Sequence, residues 1–281
     1  MSIIADTRPT DTAPARPAEP RLKVTGRRVL RSEWAKLWSL SSTWITLGLG
    51  LLFLLAFGTI AALRYKSMLN SGPMDPDFAD ATAYSLALFG VRFSLIALGV
   101  LGVLTASGEY TTGGIRSTLA AVPRRLPVLW SKAAVYGVLA FVAGAVGALI
   151  GFVISSGVLS GTTIAMSLSD HGVLRGLLGA GLYLGLVGVI GVALGTLLRS
   201  TAGGISALVG TFLLVPGLMS LLPKSWRADL TPYLPSNAGE SIYALQHSAG
   251  TLAAGPGLLV LLGWTVLTLG GAAYRLMRSD A

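Results

Sequence analysis

Few residues in this chain have the chemistry to make or break bonds. Its two histidines, His171 and His247, are far apart and fall in polar connections, where a lone imidazole is ordinarily solvated surface. Cysteine is absent, which excludes disulfides, thiolate metal sites and cysteine nucleophiles. Asp75, Asp77 and Asp80 can attract a cation, but three acids in a proline-containing loop are equally at home in water. No GxxxxGK[ST] phosphate loop, HExxH zinc pair or GxSxG nucleophile elbow occurs. The chain therefore reads as no enzyme, with no catalytic residue, metal site or bound cofactor of its own.

Arg92 is the exception worth following, because it lies well inside a long apolar run. At the centre of a membrane span an arginine costs about 2.5–3.5 kcal/mol on insertion scales. It is a candidate for a translocation pathway or subunit interface, or for pairing with an acid of another span. The bland alternative is a side chain that snorkels to the interface. The apolar runs contain no clear acidic residue to serve as its partner.

The most patterned connection is GEYTTGGIRSTLAAVPRRLPVLWSK, from Gly108 to Lys132. Thr111 or Thr112 can cap a short helix whose Ile115, Leu119 and Val122 share one face before Pro123 stops it. Arg116, Arg124 and Arg125 place charge beside that face. Such an element suits a groove in a soluble partner, or else the headgroup layer of a membrane.

The framework that must hold these residues is apolar: 53% of the 281 residues are hydrophobic and only 12% are charged. Soluble domains carry roughly 25% charged residues, so the composition calls for lipid around the core. At 1.5 Å per residue a hydrocarbon layer of about 30 Å needs about 20 helical residues. Apolar runs of that kind lie near 44–63, 83–106, 133–156, 173–196, 203–222 and 255–273. The expectation is an all-α integral membrane protein of six transmembrane helices preceded by an interfacial amphipathic helix. Residues 1–26, with four prolines, read as a disordered tail, 27–43 as the amphipathic helix and 44–281 as the six-span domain. In the amphipathic segment Leu30, Trp34, Leu37 and Trp38 recur at helical spacing, while Arg28, Arg31, Glu33 and Lys36 fall mostly elsewhere. Its partner is membrane lipid.

The formal charge of +9 would suggest nucleic acid in a soluble protein, but the basic residues lie mainly between apolar runs. That distribution encodes topology, and no nucleic-acid partner is expected. With the amino terminus in the cytoplasm, most arginines and lysines fall on that side, including Arg116, Arg124, Arg125, Lys132, Arg199, Arg275 and Arg278. An even number of spans returns the carboxyl terminus to the same side.

Within the spans, Gly181, Gly185, Gly191 and Gly195 recur at helix-contact spacing and assign the fourth span to the bundle interior or a subunit contact. Pro216 is expected to kink the fifth span. Between Pro223 and Ala253, PYLPSNAGESIYAL suggests a turn and then a short helix from about Asn237, on the outer side.

Three stretches together resemble the permease subunits of type-2 ABC exporters of high-GC bacteria: SEWAKLWSLSSTWITL (Ser32 to Leu47), GEYTTGGIRSTLAAVPRR (Gly108 to Arg125) and YLPSNAGESIY (Tyr233 to Tyr243). The resemblance runs from about Val29 to the end. It implies a multi-pass permease in the bacterial cytoplasmic membrane that pairs with itself or with a second permease. It further implies two separate ABC ATPase subunits, which bind ATP and Mg, docked at a coupling helix between the second and third spans. Carried onto this chain, Glu109, Tyr110, Ile115, Arg116, Leu119 and Arg124 become the candidate ATPase contacts. The family also has short re-entrant helices before its last span, and its direction of transport is export. Arg92 corresponds to no motif of that family. The competing readings are an ATP-independent secondary transporter and a membrane scaffold.

Overall fold

The computed structural model describes residues 26–71, 75, 78, 80–111, 113, 126–219, 221–246 and 250–278. Among the described residues every regular element is helical. In chain order the α-helices are α1 (Gly26–Ser39), α2 (Ser41–Ser71), α3 (Ala83–Ala87), α4 (Val91–Thr111), α5 (Leu126–Val158), α6 (Val173–Leu198), α7 (Thr201–Val209), α8 (Val215–Met219), α9 (Lys224–Leu230), α10 (Pro235–Tyr243) and α11 (Ala254–Arg278). Six stretches are long and apolar enough to cross a membrane: α2, α3 with α4, α5, α6, α7 with α8, and α11. The chain is a multi-pass, all-α membrane protein.

The fourth span, α6, forms the interior of the bundle, packed between α4, α5, α7, α10 and α11. Glycine makes this possible. A Cβ at Gly181 would lie 2.7 Å from the Ala145 Cβ, and one at Gly185 would lie 3.0 Å from the Gly137 carbonyl, both on α5. On the side facing α4, a Cβ at Gly191 would come within 2.3 Å of the Gly99 carbonyl, and one at Gly195 within 2.6 Å of that of Val103. Close backbone approach maximises dispersion contact where lipid offers no hydrophobic drive between helices. Tyr136 of α5, wholly buried, fills the space beside Gly102 and Gly188 and donates to the Leu98 carbonyl.

The spans depart from straight rods in two places. The second is broken by a 3-10 turn at Leu88–Gly90 between α3 and α4, where Gly90 presses on the backbone of Leu54 and Gly58 on that of Ala87. The fifth carries a π-helical turn at Gly210–Leu214 between α7 and α8, just before Pro216. A proline lacks an N–H and its ring crowds the carbonyl four residues back, here Phe212, and the widened turn absorbs both defects.

Only Leu40 separates α1 from α2, and the Trp44 indole donates to the Trp38 carbonyl at 3.3 Å across that corner. On α1 the two departures from the sequence expectation are Leu37 and Glu33. Val29, Glu33 and Leu37, spaced by four, are buried against the bundle, while Leu30, Trp34 and Trp38 stay exposed. The short helix of the 223–253 segment begins at Pro235, two residues earlier than expected, with proline in its first turn and the extra helix α9 before it.

Replacing Gly191 by alanine forces α6 away from the Gly99 carbonyl, an overpacking expected to cost about 1–3 kcal/mol. Thermal unfolding in mild detergent reads this as a lowered midpoint for Gly191→Ala. Gly263→Ala, in α11 with open space around it, leaves the midpoint unchanged.

Candidate functional site

Charged residues gather at the two ends of α4. At its carboxyl end, Glu33 and Lys36 of α1, Glu109 of α4 and Lys132 of α5 close a ring of alternating charge. The Lys132 ammonium lies 2.6 Å from Glu33 Oε2 and 3.0 Å from Glu109 Oε1. The Lys36 ammonium lies 2.8 Å from Glu33 Oε1 and 2.9 Å from the same Glu109 oxygen. Glu33 and Lys132 are buried, and Lys36 closes the ring at the surface. Burial alone would pull the Lys36 ammonium down, but its bonds to Glu33 and Glu109 and their charges hold it above the ordinary lysine value. Two positive and two negative charges leave the ring neutral, which is what makes its burial tolerable. The second Glu109 oxygen, Oε2, is buried without a hydrogen-bond partner among the described residues.

The geometry matters because of where these residues sit in the chain. Glu109 lies just before residues 112–125 and Lys132 just after, so both flanks of that connection are tied to α1. Ile115, Arg116, Leu119 and Arg124 lie outside the described residues. Tyr110 stands beside the ring with the Arg199 guanidinium over its face at 5.3 Å. Arg199 occupies the left-handed corner between α6 and α7 (φ 52°). Ser107 and Thr201 share a hydrogen bond of 2.9 Å, and Arg275 donates to the Leu197 carbonyl. The end of α4 is thereby connected to α1, α5 and the α6–α7 corner, with α11 held to that corner by Arg275.

At the other end of α4, Arg92 meets a carboxylate that lies in none of the apolar runs of the sequence. Its guanidinium forks onto Glu240 of α10, with Nε 3.1 Å from Oε1 and Nη2 3.4 Å from Oε2. Glu240 appears in sequence to belong to an outer connection. Yet α10 lies along α6, with Ile242 against Gly179 and Gly239 against the Tyr183 ring. Tyr183 is ten residues into α6, about 15 Å along its axis, so α10 dips well into the layer that the spans define. It is held there by several groups. The Tyr84 hydroxyl donates to the Tyr243 carbonyl at 2.5 Å, Arg175 to that of Ala244 at 2.8 Å, and the Trp264 indole to that of Tyr233 at 3.1 Å. The Tyr183 hydroxyl, buried beside α10, has no hydrogen-bond partner among the described residues.

The remaining candidates stay apart. His171 is exposed between α5 and α6, Asp75 pairs with Arg64 at 3.6 Å, and Asp80 is exposed. His247 and Asp77 lie outside the described residues. Among the described residues no cluster of histidine and carboxylate suited to a metal ion occurs. No protein-family model matches the chain, and no curated protein matches it.

Removing one member of the charge ring strands its partners. Lys132→Met leaves one buried and one partly buried carboxylate with a single half-exposed ammonium, a loss of about 3–5 kcal/mol. The unfolding midpoint in detergent should fall markedly. In the double variant Glu33→Leu, Lys132→Met, where one charge of each sign is gone, much of the loss should be recovered. A double variant no more stable than the single one would mean that the ring is not a unit.

Proposed function

We propose that this chain is the membrane permease of an ATP-binding-cassette exporter, the conduit half of a machine whose ATPase is a separate subunit. The observation that carries this reading is the charge ring that fastens both flanks of the 112–125 connection to α1. With no nucleotide site legible in the sequence, ATP-driven work has to enter through a contact with another protein. A connection with an apolar stripe and arginines, anchored on both sides to a helix ahead of the first span, is suited to receive that work. The resemblance of Ser32 to Leu47, Gly108 to Arg125 and Tyr233 to Tyr243 to type-2 exporter permeases supports the same reading, as does a short helix folded back among the spans before α11. In this account the α1 end is cytoplasmic, two ATPase subunits carrying ATP and Mg dock there, and two permeases pair in the bacterial cytoplasmic membrane. Ile115, Arg116, Leu119 and Arg124 would meet the ATPase. Glu109 and Tyr110, turned toward Lys132 and Arg199, would pass its movement inward.

Changing Ile115 and Leu119 together to aspartate should leave membrane insertion intact, since neither lies in a span. It should abolish co-purification of an ATPase, because truncating a buried anchor of such a contact costs about 2 kcal/mol or more. Wild-type recovery of an ATPase with the double variant would sink the coupling role of this connection. Orientation is tested independently in this cysteine-free chain. A cysteine placed at Ser71 should react with an impermeant thiol reagent in intact cells, and one at Thr118 should not.

The Arg92–Glu240 pair favours a second reading, a secondary transporter driven by an ion gradient, since charges at membrane depth are how such proteins couple. Transport that survives ATP depletion but not collapse of the proton gradient would favour it. Dependence on an ATPase would favour the first.

A further inference from the structure

We infer that α1 and α5 form a binding site for one anionic phospholipid. An open groove of about 780 Å³ lies along α1, lined by Arg27, Arg28, Leu30, Arg31 and Trp34, with Val135 of α5 as its far wall. Its character changes along the helix axis. The guanidiniums occupy the first two turns, and the indoles of Trp34 and Trp38 follow further along the axis, about 10 and 17 Å beyond Arg27 and about 5 and 11 Å beyond Arg31. Those indoles run on into Trp44, with centroids 5.4 and 4.4 Å apart in succession. A phospholipid has this layout, with an anionic phosphate at one end and a glycerol and acyl chains at the other.

Two observations argue for lipid over a soluble acidic partner. The aromatic end of the groove is continuous with the exposed apolar face of α2, comprising Trp44, Ile45, Leu49 and Leu52. That face belongs to a membrane span, where hydrocarbon is at hand to meet acyl chains seated at the aromatic end. The charge on this face also suits an anion. The only carboxylate of α1, Glu33, points to the opposite side and is engaged by Lys36 and Lys132. Arg27 and Arg31 have no carboxylate partner among the described residues. The ring and the groove are thus two faces of one helix: the inner face is neutralised by the protein, and on the outer Arg27 and Arg31 meet a headgroup. This site does not depend on the transport reading, since its readout is lipid retention.

The test is native mass spectrometry of the full chain in detergent, with phosphatidylglycerol and phosphatidylcholine of identical acyl chains as competing probes. The guanidiniums of Arg27 and Arg31 beside the headgroup should favour the lipid of net negative charge over the zwitterionic one by about thirtyfold. Arg27→Gln with Arg31→Gln should reduce that preference to below about threefold, whereas Arg64→Gln with Arg227→Gln, which removes equal charge at the other end of the bundle, should retain it. Equal retention of both lipids by the parent, or an undiminished preference in the first double variant, overturns the site. A nitroxide on Leu30→Cys gives a second measurement that leaves the arginines intact. Broadening by spin-labelled phosphatidylglycerol beyond that by spin-labelled phosphatidylcholine is the expected result. Shielding from both lipids would mean that protein covers the groove, either the amino-terminal segment or a second copy, and would also overturn the proposal.

Discussion

Charge withdrawn from water has to be answered by charge, and at one end of this bundle that requirement fixes how the first helix meets the rest. Glu33 could not be buried against α5 without Lys132, nor Lys132 without the two carboxylates on either side of it. The ring therefore acts as a register mark. Val29 and Leu37 would tolerate a slide of α1 along the groove, because dispersion is indifferent to small shifts. Four alternating charges, each within 3.0 Å of its two opposite neighbours, are not. The rest of that end follows from the same anchor: the start of α5, the end of α4, and through Tyr110 and Arg199 the corner from which the fifth span departs.

The opposite end is organised by space. Alanine and glycine along α6 admit the neighbouring backbones, and α10 uses the same device where Gly239 lies under Tyr183. Arg92 then finds its carboxylate on α10 because the small residues have already brought that helix down to it. Packing supplies the position and the ion pair makes the polar contact tolerable within an apolar layer.

These two organising principles were unequally legible in the amino-acid sequence. Runs of about 20 apolar residues announce spans directly, and glycine spacing in residues 181–195 marks a helix that others approach closely. Acidic partners are another matter. Glu33 and Lys132 are 99 residues apart and Arg92 and Glu240 are 148 apart; locally Glu33 looks like one more charge on the polar side of an amphipathic helix, and Glu240 like part of an ordinary polar connection. No periodicity within a segment encodes a pairing that arises only when segments meet. Glu240 was hidden further by its setting, since a nine-residue helix is too short to read as membrane-embedded. Pro216 was visible as a break, but whether the chain would answer it with a bend or a widened turn depends on neighbours that the local sequence does not name.

That widened turn has a mechanical meaning. The fifth span is the least enclosed of the six, with 17% of its apolar window buried, so little holds its far half in a particular rotation. A π-helical turn stores one residue more than an α-helical turn would use. If the extra residue were passed along the helix and lost at its end, α8 would rotate by about 100° and advance by about 1.5 Å, while α7 stayed where it was. Leu214 and Leu218, now exposed on one side, would then present themselves to a different neighbour. Such a turn of the screw would change which surface the bundle offers while the glycine-packed helix at its centre stayed in place.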